Sequence, residues 1–139
     1  MVIHDKKLYV GSTYFSPNWR TYVGNSVIDL SNDKVEKNNL GITDDYGADM
    51  VVINNTVTRS YKGGIAAPKP DLTADTKNII GKTSSTYATA AFGKYIFLTD
   101  TDYQAPDNVY VYDSSGALVH QYKVGAIPGS FVVFEKEAN

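Results

Sequence analysis

The chain has 139 residues, a formal net charge of −2 and no cysteine. This length suits one domain spanning 1–139. Without a block of Lys and Arg there is no footprint for nucleic-acid phosphates, and without cysteine there is neither a disulfide framework nor thiolate chemistry. No apolar stretch approaches the roughly 20 residues of a membrane-spanning helix. We therefore expect one domain that binds no nucleic acid and does not span a membrane.

The composition favours β-structure. Tyrosine accounts for 11 residues and glycine for another 11, and Tyr, Val and Thr with many turn residues are typical of short strands. No long, capped segment has apolar residues at helical spacing, so the sequence predicts an all-β fold.

The first predicted strand is Lys7–Thr13, followed by a long loop at 14–26. The next segment, "VIDLSNDKVEKNNLG" (27–41), has two alternating runs around a polar cluster, which predicts a β-hairpin. The hairpin ends at Gly41.

A second unit follows with the same order of signals. Strands are predicted at Asp49–Ile53 and Thr56–Tyr61, on either side of Asn54-Asn55. A loop at 61–70 then leads to "PDLTADTKNIIG" (70–81), a shorter hairpin that ends at Gly81.

The third unit is the most regular. Strands are predicted at Tyr87–Phe92 and Tyr95–Asp100 around Gly93-Lys94, then at Val109–Asp113 and Leu118–Val124 after a loop at 101–108. Its hairpin, 111–125, aligns with 27–41 without a gap.

The closing glycines Gly41, Gly81 and Gly125 lie 40 and 44 residues apart. A period of this length with several strands per unit is typical of a β-propeller. The sequence thus predicts a partial β-propeller of three roughly 40-residue, four-stranded blades, at about 4–41, 46–81 and 87–125.

A further strand is predicted at 130–135, where "SFVVFE" has no partner of its own repeat. We expect Ser130–Glu135 to complete another blade by pairing near Lys7–Tyr14, in the same chain or in a second copy. Propellers usually have about 4–8 blades, so the missing blades are expected from a longer parent chain or from a homodimer, with an open stack as the third possibility.

The predicted long loops share one end of the blades, because alternate connections in a meander lie on the same side. Long loops on a rigid scaffold commonly carry binding residues. The richest, "YFSPNWRTYVGN" (14–25), contains the only tryptophan, and Trp, Tyr and Arg are favoured at binding hot spots. The candidate ligand-binding residues are Trp19, Arg20, Tyr22, Tyr46, Tyr61 and Tyr103. The alternative for the aromatic members is packing between blades.

Carboxylates offer a weaker signal. Asp44-Asp45 could accept hydrogen bonds or help to hold a cation, and "DTDYQAPD" places Asp100, Asp102 and Asp107 close together. The second segment lacks the further ligands of a calcium loop, so turn capping is the better interpretation. Asp29 and Asp113 recur at equivalent turns, which predicts a structural role. No metal, cofactor or catalytic triad is predicted.

One family shares this order of motifs. A Gly-Lys turn, "TDTDYQAP", "VYVYDSSG" and "VGAIPGSF" resemble the last blades of the YncE-like propellers of Bacteroidetes, well over 92–135, fairly over 4–41 and poorly over 50–81. The resemblance implies a C-terminal portion of a surface or periplasmic binding protein, with an outer-membrane transporter as a partner. One branch captures corrinoids, although no ligand residue can be transferred from it. The sequence contains no cysteine for a lipid anchor, so the resemblance leads us to expect the export signal and anchor on the N-terminal part of a longer parent chain.

These observations favour a non-catalytic module that captures a small molecule, such as a corrinoid, or a partner protein. Two alternatives remain: a fragment of a propeller enzyme, such as a lyase or hydrolase with carboxylates at the central channel, and a purely structural assembly piece. Fold alone does not decide between them.

Overall fold

A computed structural model describes residues 1–42 and 46–134, with the backbone alone for residues 42, 46 and 48. In these ranges the chain forms strands and no helix. The strands make three antiparallel sheets of four, three and four strands, each a separate ladder that does not close on itself. The prediction of an all-β fold with three sheet units is confirmed.

The first sheet has the order β1-β2-β3-β4. Its strands are β1 (Val2–His4), β2 (Lys7–Phe15), β3 (Thr21–Asp29) and β4 (Lys34–Ile42). The predicted long loop at 14–26 is wrong, because β2 and β3 remain paired as far as Phe15 and Thr21. Tyr, Thr and Val on both sides favour strand, so only residues 16–20 form the connection.

The second sheet has the order β5-β6-β7, formed by β5 (Tyr46–Ile53), β6 (Thr56–Tyr61) and β7 (Gly64–Ala66). The predicted loop at 61–70 is also wrong. Lys62 and Gly63, with φ of 46° and 79°, make a tight turn directly into β7, as two-residue hairpins require. The long connection comes after β7. Within it, Ile80 forms an isolated antiparallel bridge to Ile65 of β7, through two hydrogen bonds at 2.8 and 2.9 Å, in the position of a fourth strand.

The third sheet has the order β11-β10-β9-β8. It comprises β8 (Thr89–Phe92), β9 (Tyr95–Thr99), β10 (Asn108–Asp113) and β11 (Leu118–Lys123). Its predicted strands, turns and long loop before β10 are confirmed within two residues, since alternation and turn residues are clearest here.

The predicted closing strand is not formed in this chain. Residues 130–134 belong to no strand, and β1 already pairs with β2 through the rungs Val2 to Tyr9, Ile3 to Leu8 and His4 to Lys7. Residues Val2–His4 therefore supply the fourth strand that the prediction assigned to the other end of the chain.

The second sheet lies between the other two. Val51, Ile53 and Ile65 face the third sheet, where they pack against Ile96, Leu98 and Tyr112. Alternation along β6 points Arg59 and Tyr61 to the opposite side, toward the first sheet. Both faces of β6 are consequently covered, and every residue from Val57 to Tyr61 is buried.

A buried arginine joins the second sheet to the first. Arg59 is only 2% exposed. Its Nε donates a hydrogen bond to Gly47 O at 2.8 Å in β5, while Nη1 donates to Gly24 O at 2.6 Å and to Asn25 Oδ1 in β3. Nη2 lies 3.4 Å from Ser12 O in β2. Because a charge is costly to bury unless its donors are bonded, these acceptors fix the position of one sheet against the other.

The three closing glycines of the repeat are not equivalent in the structure. Gly81 has a φ of 89°, and a Cβ added there would lie 2.4 Å from Leu98 Cδ1 in the core. Nothing lies within 4 Å of a Cβ added at Gly41 or Gly125. Only the middle position therefore requires glycine on conformational and steric grounds.

We expect Gly81→Ala to lower the free energy of unfolding by about 2–4 kcal/mol, because strain at positive φ and overpacking against Leu98 act together. Gly125→Ala is the matched control and should change it by less than about 0.5 kcal/mol. Chemical denaturation of both variants measures the difference. Equal effects at the two positions would contradict the packing described here.

Candidate functional site

The connection between β2 and β3 is a short, internally bonded turn. Ser16 N donates to Arg20 O and Trp19 N donates to Ser16 O, both at 2.9 Å. The Ser16 hydroxyl bonds Asn18 Oδ1 and accepts a hydrogen bond from Arg20 N at 3.1 Å. Trp19 has a φ of 61°, a conformation that costs free energy for a bulky residue. The turn thus holds the tryptophan in a defined place.

Trp19 and Phe15 form an exposed aromatic pair at this hairpin tip, which we define as residues 15–20. Their ring centroids are 6.1 Å apart with an interplanar angle of 54°. Trp19 is 82% exposed and Phe15 is also mostly exposed. The pair therefore presents apolar surface to solvent, in the geometry that aromatic rings prefer.

A second aromatic pair supports the base of the tip. The rings of Tyr14 and Tyr22 stack at 5.3 Å and 16° across the β2–β3 ladder, and the Tyr14 hydroxyl donates to Leu40 O in β4. Tyr22, a predicted ligand residue, is half-buried in this stack and serves as a support. Arg20, also predicted, is exposed beside Trp19.

The other predicted site residues do not join the tip. The Tyr46 backbone pairs with Tyr61, and its side chain lies outside the described residues. The expectation that Tyr61 lies in an exposed loop is wrong: it is the last residue of β6, 7% exposed, and packs with Ala66 and Ala74. Tyr103 is exposed, but it meets the ring of Tyr87 edge-on at 5.8 Å on the third sheet.

Sequence reasoning missed a groove of about 280 Å³ between the first sheet and the connection after β7. Pro68, Lys69 and Pro70 form one wall, while an ion pair between Lys7 and Glu36, at 2.6 Å, lies on the other. The hydrogen bond to Glu36 raises the pKa of Lys7. These residues come together only because the connection after β7 folds back onto the first sheet. The sequence predicts a loop at 61–70 with no such contact, so no sequence signal could have revealed the groove.

The carboxylates of "DTDYQAPD" accept hydrogen bonds from backbone N–H groups and from one tyrosine hydroxyl. Asp102 Oδ1 accepts from Gln104 N and Ala105 N, each at 2.9 Å, and Asp107 Oδ2 accepts from Ile127 N at 2.7 Å. Asp100 Oδ2 accepts from the Tyr110 hydroxyl at 2.9 Å. The interpretation as a turn cap is confirmed for Asp102, whereas Asp100 and Asp107 also bond residues of later segments, Tyr110 and Ile127. Within 1–42 and 46–134, no three acidic or histidine side chains cluster as metal ligands; Asp44-Asp45 lies outside these ranges.

The same aspartate turn recurs in all three sheet units. In each, an aspartate Oδ1 accepts hydrogen bonds from the N–H and the hydroxyl of the residue two positions on. These bonds lower the pKa of the aspartate below its usual range. The pairs are Asp29 with Ser31, Asp71 with Thr73, and Asp113 with Ser115. The predicted structural role of Asp29 and Asp113 is confirmed.

No protein-family model matches the chain, and no curated protein shows significant similarity to it. The described part of the chain also contains no helix with the length and apolarity to cross a membrane.

The aspartate turns predict how stability depends on pH. Because the folded pKa of Asp113 is lower than its unfolded value near 3.8, its contribution is complete above that value and is lost as pH falls through the folded pKa. We expect Asp113→Asn to reduce the loss of unfolding free energy between about pH 5 and pH 2. Denaturation across this range measures the slope.

Asp33→Asn is the control, since the Asp33 carboxylate accepts no hydrogen bond from the described residues and Asn tolerates its φ of 57°. An acid slope for Asp113→Asn that equals the wild-type slope would show that the turn bonds do not stabilise the carboxylate.

Proposed function

We propose that this protein is a non-catalytic binding module that captures a planar or amphipathic small molecule at the hairpin tip. The observation that carries the proposal is Trp19, which is 82% exposed on a turn closed by two backbone hydrogen bonds. An indole on a preformed turn loses little conformational entropy when it stacks on a ligand.

Trp19 does not pack between the three sheets of this chain, because its ring is exposed. Core tryptophans are highly buried on average, and the inter-sheet core of this chain is built from other residues, including Ile96 and Leu98. A large exposed ring costs solubility without adding to this core, so a role at the surface is the better explanation.

Arg20 adds a charge to the aromatic surface. Arg20 is exposed and follows Trp19 in the chain, and a guanidinium can donate several hydrogen bonds in a plane. A ligand with a flat apolar portion and amide, phosphate or carboxylate groups at its edge would use both side chains. Corrinoids have this chemistry, and the resemblance to the corrinoid-capturing branch makes a corrinoid the first ligand to test.

The architecture that we propose is a partial β-propeller. Neighbouring sheets contact each other through the strands that come first in each sheet. β5 of the second sheet contacts β8 of the third sheet and β1 and β2 of the first sheet. This is the arrangement expected where inner strands surround a common axis. A periplasmic or surface location and a transporter partner are proposed on the strength of the resemblance alone.

The decisive variant is Trp19→Ala. Burying a large aromatic side chain is worth roughly 1.5–3 kcal/mol, so we expect affinity for a corrinoid to fall about 10- to 100-fold, with little change in the melting temperature because the ring is exposed. Isothermal titration calorimetry with vitamin B12 and thermal denaturation measure the two quantities on one preparation.

Leu118→Ala, which truncates an exposed side chain on β11, is the control and should change neither quantity. Unchanged affinity for Trp19→Ala, together with a lower melting temperature, would place the tryptophan in a structural role. Absence of binding by the wild type at micromolar vitamin B12 would reject corrinoids as the ligand class.

A further inference from the structure

The groove between the first sheet and the connection after β7 has a floor formed by one row of the sheet. Tyr9 registers with Val27, and Val27 registers with Lys37, so the three side chains lie on the same face of β2, β3 and β4. Val27 is buried and Tyr9 is half-buried, whereas Lys37 is exposed at the rim. The floor therefore combines an aromatic ring, an aliphatic contact and a cation.

The opposite wall of the groove is bonded to the first sheet. Asn25 Nδ2 donates a hydrogen bond to Leu72 O at 2.8 Å. Asn39 Nδ2 donates another to Asp71 O at 2.9 Å. The wall also contains two prolines, and the ring of a proline fixes its own φ. Both sides of the groove are thus positioned by the fold itself, which reduces the ordering cost of binding a ligand there.

Positive charge predominates in the groove. Three lysines and one glutamate line it, and Lys7 and Glu36 form an ion pair with each other. The two other lysines come from opposite sides, Lys37 from the floor and Lys69 from the wall. Neither forms an ion pair within residues 1–42 and 46–134. Cations that line a cleft raise the local concentration of anions.

Two carboxylates of the connection lie near Lys69 but are bonded by other groups. Asp71 Oδ1 accepts hydrogen bonds from the N–H and the hydroxyl of Thr73, at 3.0 and 2.5 Å. Asp75 Oδ2 accepts from Asn78 Nδ2 at 2.8 Å. These hydrogen bonds, and to a smaller extent the charge of Lys69, lower the pKa of both aspartates. The ammonium group of Lys69 therefore remains available to an anion in the groove.

We propose that this groove binds a small aromatic carboxylate, at a site separate from the hairpin tip and independent of the function proposed for it. The carboxylate accepts hydrogen bonds from Lys37 and Lys69, and the ring packs against Tyr9, a geometry that aromatic rings favour. A volume of about 280 Å³ is at the lower end of the range for small-molecule sites, so the ligand is small. Glu36 on the rim disfavours a dianion, which makes a singly charged carboxylate a better fit than a phosphate monoester.

Nuclear magnetic resonance titration of the full ¹⁵N-labelled chain with benzoate tests the proposal. Benzamide serves as the neutral isostere, and inorganic phosphate as an anion without a ring. We expect saturable shifts of the backbone amides of Tyr9, Lys37 and Lys69, with a dissociation constant on the order of 1 mM for a ligand of this size. Benzamide and phosphate should each bind at least about 5-fold more weakly, because each lacks one of the two contacts.

Substitutions separate the charge contact from the ring contact. Lys37→Gln and Lys69→Gln should each weaken benzoate binding about 3-fold, and the double variant about 10-fold, without changing affinity for benzamide. Tyr9→Leu should weaken benzoate and benzamide alike. Lys77→Gln changes an exposed lysine of the same connection that lies outside the groove, and it should leave both affinities unchanged.

Four results would overturn the proposal. They are the absence of saturable shifts with benzoate, benzamide or phosphate binding as tightly as benzoate, an unchanged benzoate affinity in the double lysine variant, and shifts confined to residues 15–20. The last result would assign the anion to the hairpin tip, whereas failure of the tip to bind vitamin B12 would leave the groove unaffected.

Discussion

The guanidinium of Arg59 is the contact on which the arrangement of the sheets depends. It is almost completely buried and bonds acceptors in β2, β3 and β5. Asn25, which accepts one of these bonds, donates in turn to Leu72 O at 2.8 Å. The network therefore connects two sheets and the long connection after β7. Since each buried polar group needs a partner, this network permits few other placements of the first sheet.

The same arrangement explains how the hairpin tip is presented. Holding β2 and β3 at Ser12, Gly24 and Asn25 anchors the hairpin a few residues below its turn, and the Tyr14–Tyr22 stack stiffens the interval. Rigid strands thus carry Phe15 and Trp19 into solvent. The contrast between β6, buried from Val57 to Tyr61, and β11, exposed throughout, follows from strand position. β6 is the central strand of a sheet that is covered on both faces, whereas β11 is the edge strand of the third sheet, at the opposite end from β8, which contacts the second sheet.

Sequence patterns predicted the fold class and the third sheet because its strands alternate and its turns contain Gly93 and Gly116. They failed at Lys62-Gly63, where a tight turn looked like the start of a long loop. They also missed the strand Val2–His4, because three residues are too few to show an alternating pattern. For the candidate site, composition selected Trp19 and Arg20, both of which are exposed in the structure. It could not separate exposed Trp19 from buried Tyr61, since burial depends on which sheet face the neighbouring sheet covers.

The most direct test of this account is hydrogen exchange of Arg59→Met, read by mass spectrometry on peptides from each sheet. Removing the guanidinium leaves buried carbonyls unpaired, at about 1–3 kcal/mol each. We therefore predict that β2 and β3 lose protection while β9 and β10, which pack on the opposite side of the second sheet, retain theirs. Unchanged protection in β2 and β3, or an equal loss in all three sheets, would contradict the role assigned to Arg59.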